Sequence, residues 1–156
     1  MKPLRALAFF AAGIVVEWLW STLLPVFGLA PRVVLILTIS AASCGGSVAG
    51  QCYGFFWGLF LDVLSAHTFG AGALALTLVG YSVGNLRRQM DVSSPPSQMM
   101  VVGFVSVAYG LFVGLMGLVF ERHFYGPGWY DLVLGTLYNV LVAPIFFAMT
   151  RKVLED

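Results

Sequence analysis

Gly46-Ser47-Val48-Ala49-Gly50-Gln51-Cys52-Tyr53-Gly54-Phe55-Phe56-Trp57-Gly58-Leu59-Phe60-Leu61-Asp62 sets a glycine at every fourth position of an apolar run and continues the series with an aspartate. Four residues overshoot a helical turn by about 40°, so on a helix these glycines form a slowly drifting ridge. Lacking Cβ atoms, the ridge lets a second backbone approach closely and favours a crossed contact. Gly80 with Gly84, and Gly110 with Gly114, repeat the spacing. Two readings stand side by side: packing of helices within the chain, or a face for a homodimer or a partner helix.

Outward from the ridge, the chain keeps the same character. Of its 156 residues 60% are hydrophobic and 10% charged, and the mean hydropathy is +0.92. A soluble domain carries about a quarter of its residues charged, so the solvent of this chain is lipid. The net charge of +1 leaves no basic field for nucleic acid. Cys44 and Cys52 stand in glycine-rich apolar sequence without a CxxC pair, and read as small free thiols rather than zinc ligands. The start, Lys2 and Arg5 before an apolar run broken by Glu17, reads as a retained first span rather than a cleaved signal peptide.

A membrane-spanning helix needs about 20 apolar residues. On that measure the sequence predicts an all-α, polytopic transmembrane bundle of about six helices, near residues 4–27, 32–44, 46–64, 69–86, 99–120 and 130–150, in one domain over residues 1–156. The second is short for a span. Arg87 to Gln98, with Asp91, Ser93, Ser94, Pro95 and Pro96, reads as a loop. His123 to Trp129 marks a turn at the opposite face. With six spans Lys2, Arg5, Arg87, Arg88, Arg151 and Lys152 share one side, so both termini are expected in the cytoplasm.

Few polar residues lie within the spans. Glu17 sits about midway along the first, where an unpaired charge would cost at least about 2.5 kcal/mol. Arg32, at the start of the second span, is expected on the far side of the membrane and too distant for contact with Glu17, so that a partner protein would supply the pairing. Asp62, followed by Ser65 and His67, reads either as a site residue or as a cap for the next helix. Asn139, five residues before the helix-interrupting Pro144, reads as a hydrogen-bonding contact between helices. His67 and His123 fall near outer loops and receive no catalytic role. No nucleophile elbow, zinc helix or phosphate loop is present, and Ser47 lies at the opposite end from both histidines, so no catalytic, cofactor-binding or metal residue is expected.

The order Pro31 before a short aliphatic helix, then Gly54-Phe55-Phe56-Trp57-Gly58-Leu59-Phe60-Leu61-Asp62-Val63-Leu64-Ser65, then Phe69-Gly70 and Gly80-Tyr81, with Arg87 and Arg88 and later Asn139 and Ala143-Pro144, resembles the MreD family of rod shape-determining membrane proteins. Arg32 departs from it, since the family often has an acidic residue after the proline. The resemblance implies a non-enzymatic scaffold of the elongasome in the bacterial inner membrane. Its implied partners are MreC directly, and the peptidoglycan synthase pair and MreB filaments through the assembly, with membrane lipid around it and a homo-oligomer as a further option. The family is also similar in arrangement to the substrate-binding subunits of energy-coupling-factor transporters. That alternative implies a small-molecule pocket around Asp62, Ser65 and His67. In the scaffold reading a glycine-lined or aromatic groove receives a partner's transmembrane helix, and leucine at Gly54 or Gly58 weakens assembly.

Overall fold

In hydrocarbon every backbone N–H and C=O must find its partner within the protein, and a run of apolar residues meets that demand as a helix. The computed structural model describes residues 3–23, 32–64, 70–89, 92, 94–121 and 128–155. Among them are five helices: α1 (Pro3–Leu23), α2 (Val33–Leu64), α3 (Ala71–Leu86), α4 (Pro95–Glu121) and α5 (Trp129–Glu155). Val33–Leu64, Pro95–Phe120 and Leu132–Val153 are long and apolar enough to cross a membrane, while Leu7–Trp20 and Ala71–Leu86 are shorter apolar helices.

The expected count of six meets five elements because the second and third expected spans are one, α2, interrupted at Gly46. There the backbone turns to φ 83° and ψ −175°, a conformation that glycine alone adopts without strain. The two arms of α2 fold back on each other. A Cβ added to Gly50 would lie 2.5 Å from that of Ala42, and one on Gly54 would lie 3.1 Å from Cγ2 of Thr38. Val34 and Leu61, 27 residues apart, wall the same cavity.

The first arm is the core of the molecule. Every residue from Val33 to Ala42 is buried, which is what an aliphatic helix without a polar face requires. The second arm packs along α3 in antiparallel register, with Gly58 against Ala73, Gly54 against Leu76, Gly50 against Gly80, and Ser47 against Gly84. On the other flank α1 meets α2 through aromatic rings: Phe9 lies edge-on to Tyr53 at 5.2 Å and Phe10 stacks on Trp57 at 6.0 Å.

The expected loop from Arg87 to Gln98 is shorter than its sequence suggested, because α4 begins at Pro95. A proline in the first turn of a helix gives up an N–H that has no partner there, so Pro95 and Pro96 start the helix rather than break it. The Gly46 end of the bundle also carries Arg87, whose guanidinium donates to the carbonyl of Cys44, and the last turns of α5 with Arg151 and Lys152.

Candidate functional site

Two carboxylates organise the other end, each at the start of a helix it does not belong to. Asp62, on the second arm of α2, is buried. Its Oδ2 accepts the N–H groups of Gly70 at 3.0 Å and Ala73 at 2.9 Å, and its Oδ1 accepts that of Gly72 at 3.1 Å. The first N–H groups of any helix lack partners within it; Asp62 satisfies those of α3 and places its charge at the positive end of the helix dipole. Of the two readings open in the sequence, the geometry is that of a cap. Ser65 and His67, expected beside it, lie outside the described residues, as does His123.

Glu17 does the corresponding work for the first arm of α2. Its Oε2 accepts the N–H of Val34 at 3.0 Å. Beside it Asn139 of α5 accepts the N–H of Arg32 at 2.9 Å and donates through Nδ2 to the hydroxyl of Ser106 on α4 at 3.1 Å. The Arg32 guanidinium lies over the ring of Tyr109 at 5.2 Å, a cation–π distance. Residues from α1, α2, α4 and α5 therefore converge where the central arm begins. The Arg32 side chain is not what meets Glu17; the backbone of the helix that it opens is bonded to Glu17 two residues later. Nor does Glu17 depend on another protein for its first hydrogen bond. The physical reason is length, since 13 residues rise only about 20 Å against a hydrocarbon thickness of about 30 Å, and the start of the arm can sink to the depth of Glu17.

The seven glycine and aspartate candidates for helix contact all lie on α2 and α3. Gly50, Gly54, Gly58, Gly80 and Gly84 face the facing backbone of the α2–α3 seam; a Cβ at Gly50 would sit 2.7 Å from the carbonyl oxygen of Gly80. Gly46 makes the turn and has open space where a Cβ would be, and Asp62 caps α3. The faces of the five seam glycines are thus filled from within the chain. Sequence reasoning missed Ser106, Tyr109 and the pair Ser40 and Thr150, whose hydroxyls meet at 2.8 Å. A lone hydroxyl in an apolar helix was the available signal for each.

The second arm and α1 diverge enough beside Glu17 to leave a cavity of about 410 Å³. Ile14, Glu17 and Trp18 of α1 form one wall; Val34, Trp57, Phe60, Leu61 and Leu64 form the other. Among the described residues no three His, Cys, Asp or Glu side chains gather in a group able to hold a metal ion. Cys44 and Cys52 are thiols.

These features define an integral membrane protein in which Asp62, Asn139 and Ser106 fasten helices to one another. Residues 3–153 match the family model of the rod shape-determining protein MreD, nearly the whole chain, and the protein belongs to that family. Comparisons with curated proteins and with solved structures returned no match.

Proposed function

We propose that this protein is a non-enzymatic scaffold of the cell-wall elongation machinery, holding MreC in the bacterial inner membrane and through it influencing the peptidoglycan synthase pair and MreB filaments. The observation that carries the reading is membership of a rod-shape family over residues 3–153. It is supported by how the polar groups are used. Asp62, Asn139 and Ser106 spend their hydrogen bonds within the bundle, while the flanks are apolar, with Phe104 and Trp18 among the exposed side chains. A protein of that description acts by lateral contact with other helices. The cation distribution supports cytoplasmic termini, since Arg87, Arg88, Arg151 and Lys152 are exposed near the Gly46 end.

The test is depletion of the protein from a rod-shaped host together with affinity capture of the tagged chain from gently solubilised membranes. Rounded cells and copurifying MreC are expected. Rods that keep their shape, or a capture without MreC, would overturn the proposal. The transporter alternative is not carried forward: the Asp62 carboxylate that was to line its pocket is occupied by three backbone N–H groups.

A further inference from the structure

The cavity beside Glu17 has a charge in its wall, unlike two other hollows among the described residues. The groove between α3 and α4, about 220 Å³, is lined by residues such as Leu78, Phe104 and Phe112, and that between α1 and α5, about 230 Å³, by residues such as Phe9, Phe146 and Met149. Hydrocarbon tails suffice to fill either. The 410 Å³ cavity opens on the flank of the bundle between Trp18, 68% exposed, and Leu64, 69% exposed. Among the described residues Glu17 is the one charged side chain lining it.

From these observations we infer that the cavity is the seat of a transmembrane helix of another protein, an apolar helix that brings one hydrogen-bond donor or cation to Glu17. The inference rests on the proposed scaffold function, because it supposes a partner within the membrane, and it locates that partner on the α1 flank.

Three features select this occupant. A carboxylate has two oxygens and about four acceptor positions, and the backbone N–H groups of Val34 and Val33 use at most two. The Arg32 guanidinium lies over Tyr109 of α4 and forms no part of the cavity wall. An occupant with a donor is therefore favoured over a bare acyl chain. Depth is the second feature. Glu17 lies six residues before the end of α1 at Leu23, about 9 Å along the axis, so a lipid amine resting level with that end falls short of it. A transmembrane helix places a side-chain donor at any depth. The third feature excludes a second copy of this chain: a two-fold contact at this flank would set one Glu17 against another, and Arg32, the described cation in the same corner, is already turned to Tyr109.

The experiment places a photo-crosslinking benzoylphenylalanine in the full-length chain in native membranes, at Trp18 or Phe60 in the cavity and at Phe104 or Leu111 on the α4 flank. The expected result is a crosslink from Trp18 and Phe60 to a transmembrane peptide that contains Arg, Lys, Ser, Thr, Asn or Gln, with at least tenfold less from Phe104 and Leu111. Replacing that polar residue by leucine lowers the cavity crosslink about tenfold, as does Glu17→Leu, while Glu17→Gln lowers it less. The wild-type crosslinks stand even if Glu17→Leu fails to fold. Partner capture that persists while the cavity yields only lipid adducts, a second copy of this chain or no adduct, or while crosslinking comes from the α4 flank, overturns the inference and leaves the scaffold function intact. Wild-type protein that captures no membrane partner and whose loss leaves cell shape unchanged overturns the scaffold function instead.

Discussion

Asp62 and Glu17 are the same chemistry put to two degrees of use. Each is an acid on one helix that receives backbone N–H groups from the start of another. Asp62 takes three such groups and is 9% exposed, closed in by the glycine seam of α2 and α3. Glu17 takes that of Val34, is half-buried, and borders a 410 Å³ cavity. The difference lies in the neighbours. Small residues at Gly54, Gly58, Gly72 and Ala73 draw α3 up to the second arm, whereas the bulky Trp18, Trp57 and Phe60 line a space between the second arm and α1 beside Glu17. A closed carboxylate is a structural fastening; an open one retains capacity for something else.

The largest expected effect follows from removing the closed one. Asp62→Ala leaves three N–H groups at the start of α3 without an acceptor, at about 1–3 kcal/mol each before relaxation, and should lower stability in detergent by roughly 3–5 kcal/mol. Thermal unfolding followed by fluorescence-detected gel filtration checks this, and an unfolding midpoint equal to wild type would remove Asp62 from its role as cap. Asn139→Ala attacks the other corner by freeing both the Arg32 N–H and the Ser106 hydroxyl. It should cost about 1–2 kcal/mol, since hydrogen bonds between helices in membrane proteins average about 0.6 kcal/mol and a buried donor left unpaired adds to that. A loss as large as that of Asp62→Ala would mean that the two corners are equally closed.

Smaller changes sharpen the contrast. A Cβ on Gly72 collides with the Asp62 carboxylate, so Gly72→Ala should shift the cap and destabilise by about 1 kcal/mol, against the gain of about 1 kcal/mol that Gly→Ala brings in an unconstrained helix. An increase in stability would show the corner to be looser than its geometry. Glu17→Gln keeps an acceptor for Val34 and should change stability by less than about 1 kcal/mol. Its effect belongs in the amount of partner captured, and a large stability loss with unchanged capture would make Glu17 a second closed cap.

Much of this was legible in the sequence. The four-residue spacing from Gly46 to Gly58 and from Gly80 to Gly84 announces two surfaces made for close approach, and they meet each other. The all-helical membrane class follows from composition alone. Depth was not legible: periodicity gives the face of a helix and not its height, so Glu17 and Arg32 were set apart when the short first arm brings their neighbourhoods together. The start of α4 was hidden because Pro95-Pro96 has one meaning inside a helix and another at its beginning. The α2–α3 partnership left open between self-contact and partner contact required coordinates, because a glycine ridge carries no information about whose backbone fills it.

Gly46 has a reach beyond its own turn. A straight α2 of 32 residues would rise about 48 Å and deliver Leu64 to the opposite end from Val33. Folded at one φ of 83°, it returns Leu64 to the end from which it started. Every helix downstream inherits that choice, so the sidedness of α3, α4 and α5 is written in a single backbone angle. An insertion machinery that measured only hydrophobic length would see one greasy stretch there, and the decision between one crossing and a hairpin passes to the residue that can bend.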